Sequence, residues 1–170
     1  MLRFYTPQTF RTAGILEAAR IMSQYTFDRT IIFATWSGEE YGLYGSEAWA
    51  SEAAASGMNI LGYFNMDMAG YLEPGGVIHT DVIAPSSAQE LVQFYKDVCA
   101  TYLPDFVVSN GALSGGDSDH TSFNQNGYMG IFPFEDSQNY SPYIHSSDDL
   151  IGPSVNSFEM HATFTMATIA

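Results

Sequence analysis

Apolar positions recur along this chain at two different spacings, and the two alternate. From Ala13 to Gln24, residues Ile15, Leu16, Ala19 and Met22 fall on one helical stripe. Ile31 to Thr35 is a short continuous run of β-branched, aromatic and small residues, the pattern of a buried strand. An Ala-rich stretch from Glu47 to Ala55 predicts a helix, and Ile60 to Met66 a strand. Val77 to Thr80 predicts a short strand after the turn Pro74-Gly75-Gly76. Ser87 to Tyr102 predicts a helix ended by Pro104, and Phe106 to Ser109 a strand. Ser118 to Gln125 reads as a helix opened by a Ser/Asp cap. Tyr128 to Phe134 reads as a strand, and Pro153 to Ile169 as a terminal helix. The alternation predicts an α/β fold. No internal repeat or low-complexity linker interrupts it.

Composition agrees with one folded domain: 46% of the 170 residues are hydrophobic. Five basic residues stand against 19 acidic ones, a formal net charge of −14. That balance excludes nucleic-acid binding, which needs Lys and Arg on phosphates. No apolar run approaches transmembrane length, so no membrane partner is expected. Residues 1–12 lack the apolar core of a signal peptide. The single cysteine, Cys99, has no internal disulfide partner and reads as a buried, inert thiol.

Candidate chemistry concentrates just after the Ile31–Thr35 run. There the turn signal Ser37-Gly38 is followed at once by Glu39 and Glu40. Open α/β sheets place reactive groups beyond the carboxyl ends of strands. Two adjacent carboxylates suit a division of labour, one ligating a metal and one moving a proton. Gly38, Gly42 and Gly45 permit close backbone packing, and Trp36, Tyr41 and Tyr44 are expected to wall a pocket. The competing reading is a solvated pair that caps the next helix.

The segment WSGEEYGLYGS resembles the signature of the zinc aminopeptidase family that includes bacterial leucyl aminopeptidases, with glutaminyl cyclases and glutamate carboxypeptidases as relatives. AGILEAARIM (Ala13 to Met22), NMDMAG (Asn65 to Gly70), SDHTSF and YIHSSDD (within Ser118 to Asp149) follow in the order that family requires. The resemblance implies a three-layer sandwich with a mixed, mostly parallel sheet, of the phosphorylase/hydrolase-like zinc-exopeptidase type. It implies Glu39 as the general base, Glu40 and His145 as ligands of one zinc, and Asp67 as a ligand of a second. Asp119, His120, Tyr143 and Asp149 are supporting or substrate-side candidates. Asp149 stands four residues after His145, where it could orient the imidazole. His79 and His161 read as structural.

The same resemblance implies two further ligands upstream of Ala13, a histidine and a bridging aspartate. Residues 1–12 contain no His, Asp or Glu. The expectation is therefore a catalytic domain over residues 13–170 without its first strands, an unmatched segment over residues 1–12, and partial or no zinc. An exported parent protein is implied, since family members are commonly secreted or periplasmic. The expected activity is release of amino-terminal residues from peptide or aminoacyl substrates, impaired in this chain. Two alternatives stay open: a glutaminyl cyclase-like enzyme, and a non-catalytic binding module of the same fold. The Ile31–Thr35 edge is expected to drive homo-oligomerisation, aggregation, or coverage by residues 1–10.

Overall fold

The computed structural model describes residues 6–115 and 117–170, with side chains from residue 11 onward. Helix α1 (Thr6–Met22) is followed by α2 (Tyr44–Ala55), β1 (Tyr63–Phe64), β2 (His79–Ile83), α3 (Gln89–Tyr102) and β3 (Val107–Asn110). Helix α4 (His120–Gln125), β4 (Gly130–Phe134) and α5 (Phe158–Ile169) complete the order. The strands form one mixed sheet in the order β1-β4-β2-β3. The β1–β4 and β2–β3 pairs are parallel and the β2–β4 pair is antiparallel.

The pleat of β4 explains why helices cover both faces. Ile131 points into a core with Leu91, Val92, Tyr95 and Cys99 of α3 and Met160, Phe164 and Ala167 of α5. Phe132 points the other way, against His120 of α4. In β1 the same alternation sends Phe64 toward Tyr95 and Tyr63 onto Phe123. The result is three layers, the expected α/β arrangement. Gly14 lets α1 approach α5 closely, since a Cβ there would lie 2.9 Å from His161 Nε2 and 3.0 Å from Thr165 Oγ1.

Several sequence-predicted bounds move. Helix α1 begins at Thr6, seven residues early, and takes in part of residues 1–12. Strand β1 keeps only two ladder residues of Ile60–Met66, and β2 starts at His79 rather than Val77. Helix α5 starts at Phe158, where Ser157 Oγ accepts the Met160 N–H as a cap. Asp119 precedes α4 but makes no capping hydrogen bond, because its backbone is already helical at φ −54°, ψ −22°.

The largest difference is at Ile31–Thr35. Among the described residues it joins no ladder, and Ile31, Ile32 and Phe33 are exposed. The run has strand composition, but a strand exists only where a neighbour accepts its hydrogen bonds. Residues 6–10 are helical and supply no strand there. Coverage by residues 1–5 lies outside the described residues. None of the described helices is long and apolar enough to cross a membrane.

Phe123 is the keystone of the α4 face. It is buried, stacks on Tyr63 with ring centroids 3.8 Å apart, and touches Trp36 and Trp49. Phe123→Ala is expected to cost roughly 3–5 kcal/mol of stability, read as a lower urea midpoint.

Candidate active site

The glycines of WSGEEYGLYGS each meet a local demand. Glu39–Tyr41 form a single 3₁₀ turn, bracketed by left-handed Gly38 (φ 73°) and Gly42 (φ 119°). Gly45 donates its N–H to Ser37 O, and a Cβ on Gly45 would sit 2.8 Å from that oxygen. The turn therefore folds tightly under Trp36 and holds Glu39 and Glu40 just ahead of α2. Trp36 packs inward between Trp49 and Phe123. Tyr41 and Tyr44 do not wall a pocket; they are 82% and 67% exposed.

A hydrogen-bond chain leads from that tryptophan to Asp67. Trp36 Nε1 donates to Tyr63 Oη, Tyr63 Oη to Asn65 Oδ1, and Asn65 Nδ2 to Ser118 Oγ. Ser118 Oγ then donates to Asp67 Oδ2 at 2.8 Å. The other oxygen, Asp67 Oδ1, faces the Arg11 guanidinium at 2.5 Å. Asp67 lies just past β1 and is buried. Met68, which follows it, holds φ 39°, a strained value for a side chain with a Cβ.

His145 approaches from the loop after β4. Its Nε2 lies 3.0 Å from Glu40 Oε2, and its backbone is left-handed at φ 60°. Arg11, Glu40, Ile144, His145, Asp149 and Glu135 line one cleft. Because β1 and β4 are parallel, the segments that lead to Asp67 and His145 leave the sheet at the same end. Asp149 is buried in this cleft wall. Tyr143 does not line it; its N–H donates to Ser141 Oγ and its carbonyl accepts from Ser146. His120 packs on Phe132 and faces a separate cleft with Ile83, Pro85, Leu113 and Asn124. Asp119 is buried and lies close to Ser46.

The carboxylates feel one another. Burial pushes the Glu39 carboxyl up to about 7, helped by the charges of Asp67 and Glu40 and opposed by Arg11. Burial also raises Asp119, with Ser46 opposing and Asp67 adding to the rise. Glu40, His145 and Asp67 are the donors suited by type to zinc, being two carboxylates and an imidazole. The 3.0 Å separation of Glu40 Oε2 and His145 Nε2 fits two ligands sharing an ion at about 2.0–2.2 Å. Asp67 fits by burial and charge, and at present it faces a guanidinium instead.

Sequence reasoning missed Glu135. It follows the apolar strand β4 directly and is buried. Its Oε2 accepts the N–H groups of Gly70 and Tyr71, and its Oε1 that of Ser141. It thus fastens the loop after Asp67 to the loop that leads to His145. Burial lifts its carboxyl to about 7 against the pull of those N–H groups. The one available signal was a charged residue ending an otherwise apolar run.

Two predictions follow from this electrostatics. Gln at position 135 would turn an N–H₂ toward a backbone donor, so Glu135→Gln should cost about 1–3 kcal/mol at pH above 7, measured by urea denaturation. A carboxyl raised in the folded state contributes stability that is full below its unfolded value and lost as pH rises through its folded value. Stability should therefore fall between about pH 4.5 and 7 as Glu39 and Glu135 ionise. Glu39→Gln, which mimics the protonated form, should flatten that decline.

Proteins of known sequence and structure are similar to this chain. Residues 10–169 match the model of peptidase family M28. Leucine aminopeptidase 1 of Chaetomium globosum is 32% identical over 170 residues, covering 92% of this chain and 41% of that protein. The LapA aminopeptidase of Legionella pneumophila superposes with a TM-score of 0.83 at 26% identity, over 93% of this chain and 43% of its own. A zinc aminopeptidase from Bacillus subtilis shares the fold at 18% identity, with a TM-score of 0.67 over 98% of this chain and 43% of that one. The chain spans 32% of the length of some curated relatives that it matches and 42% of another. It belongs to peptidase family M28.

Proposed function

We propose that this chain carries the metal-binding and proton-transfer part of a zinc-dependent aminopeptidase, which removes amino-terminal residues from peptides. The observation that supports the reading is the contact of Glu40 with His145 in one cleft, beside Asp67, which pairs with Arg11 of the cleft wall, and Glu39, whose carboxyl feels the charges of Asp67 and Glu40. Glu40 and His145 would hold one zinc and Asp67 would contribute to a second. Bound zinc supplies Lewis acidity toward the scissile carbonyl and lowers the pKa of water.

The chain's own residues account for the remaining chemistry. Glu39, with a carboxyl near 7 in the metal-free chain, sits where a group can both take and return a proton at neutral pH. It would accept the proton of the attacking water and hand it to the leaving amine. A nearby dication would lower that pKa and favour the base form. The negative charge that remains in the cleft after Arg11 pairs with Asp67 favours a substrate that ends in an ammonium. Glu135 and Ser118 position the loops that carry His145 and Asp67 rather than touching substrate.

A non-catalytic state is favoured by one observation, the Arg11–Asp67 ion pair, in which a guanidinium takes a carboxylate oxygen that a metal would need. Weak activity and partial zinc occupancy are accordingly proposed for this chain. The exposed Ile31, Ile32 and Phe33 run is proposed as a self-association surface.

With added zinc, the chain should release amino acids from aminoacyl anilides at a low but measurable rate. Glu39→Gln should lower that rate by about 10²–10⁴-fold with zinc content unchanged. Ammonia release from an N-terminal glutamine, without amino-acid release, would favour the glutaminyl cyclase reading. Neither activity, with zinc bound, would leave a binding module.

A further inference from the structure

Away from the cleft, His79, Asp81 and Asp136 bring one ligand atom each to within 4.8 Å of one another. Among the described residues, no set of three drawn from Glu39, Glu40, Asp67 and His145 is as compact. His79 and Asp81 share a face of β2, two residues apart. Asp136 lies two residues past Phe134, the β4 partner of Asp81 in the antiparallel ladder.

The neutral tautomer of His79 is set by its backbone neighbour. Its Nδ1 lies 2.9 Å from Val77 O, and a carbonyl only accepts, so Nδ1 carries the proton. In the neutral ring Nε2 then bears the lone pair. That lone pair faces Asp136 Oδ2 at 3.7 Å, too long for a hydrogen bond. An imidazole lone pair and carboxylate oxygens facing one another repel unless a proton or a metal ion lies between them. A hydrogen bond from histidine Nδ1 to a backbone carbonyl is also the usual way a ligating imidazole is oriented.

Each carboxylate is held in the same fashion, with one oxygen engaged and one left for a ligand. Asp81 Oδ2 accepts the Ser137 N–H and hydroxyl at 2.9 and 2.5 Å. Asp136 Oδ1 accepts the N–H groups of Gln138 and Asn139 at 2.7 and 2.9 Å, and its Oδ2 has only a long 3.4 Å contact from Asn139 Nδ2. Burial raises the Asp136 carboxyl, but those N–H groups outweigh it and hold it below the ordinary value.

We propose that His79 Nε2, Asp81 and Asp136 form a second divalent-metal site, separate from the acidic cleft. One imidazole with two carboxylates suits zinc or a similar transition ion, and the nitrogen donor disfavours calcium and magnesium. Tetrahedral zinc with bonds of about 2.0–2.2 Å holds two ligands about 3.4 Å apart, so the 3.7 Å pair needs to close by a few tenths of an ångström, and the other ligand atoms, all within 4.8 Å of one another, would draw in around the ion. The ion would pin the start of β2 to the segment following β4. That segment runs on through Ser141 to His145, so the site is a structural clamp on one wall of the cleft.

The test uses the full chain carrying Glu40→Gln, Asp67→Asn and His145→Ala, which removes the three cleft donors. It should take up one Co²⁺ per chain with visible d–d absorption. Zinc at about 100 times its dissociation constant should raise its Tm by roughly 5–10 °C. Adding His79→Gln or, separately, Asp136→Asn should abolish both effects while the Tm in EDTA stays that of the background. Two variants are needed so that misfolding of one leaves the other to decide. Absence of cobalt uptake by the background would overturn the proposal, as would equal uptake by both added variants. A thiolate charge-transfer band would also overturn it by moving the ion to Cys99, which is buried.

Discussion

Glu39, Glu40, Asp67 and Asp119 place four carboxyl groups around one partly buried region, and the surrounding structure is arranged to hold their charge. Burial penalises an ionised carboxyl, and like charges nearby add to the penalty. Both effects appear in Glu39, whose carboxyl rises to about 7. Compensation comes from Arg11 and Ser118 at Asp67 and from His145 at Glu40. None of these partners is a neighbour in sequence. Each is delivered by a different element, so the site exists only once the sheet, α1 and the loop after β4 are assembled.

The scaffold meets that demand with local strain and buried polar anchors. Gly38 and Gly42 absorb left-handed backbone at the carboxylate turn, but Leu43, Met68 and His145 adopt it with side chains attached. Such positions persist only where neighbours over-determine them. Here the neighbours are the Glu135 fork, which holds Gly70, Tyr71 and Ser141 together, and the chain from Trp36 to Asp67. Phe123 and the aromatic cluster beneath it keep α4 in place, and α4 follows Ser118 directly.

Much of this was legible in the sequence because it is periodic or punctuated. The helices were legible from apolar spacing, and the sheet's mixed character came with the family resemblance. Glu39, Glu40, Asp67 and His145 were named from motifs, and the cleft brings Glu40 and His145 into contact. What escaped depends on partners. Ile31–Thr35 has strand composition, but no residue pattern records whether a neighbouring strand lies beside it. Asp119 looked like a cap because its type and place suit one, whereas its backbone conformation sends the carboxylate to Ser46. Glu135 sits where a turn would be expected, and only three-dimensional burial separates it from a solvated loop residue. Arg11 lies outside the motifs that carry the resemblance, so its ion pair with Asp67 had no sequence signal.

That ion pair offers the most direct measurement of whether charge compensation governs the cleft. In a His79→Gln background, where only the cleft can report, zinc affinity would be measured by calorimetry with Arg11 present and with Arg11→Gln. If the guanidinium holds a place that a metal would take, its removal should tighten zinc binding by about 10–100-fold, the equivalent of one charge-assisted contact of roughly 1.5–3 kcal/mol. Unchanged or weaker zinc binding in the variant would contradict a cleft whose carboxylates are organised to receive a cation.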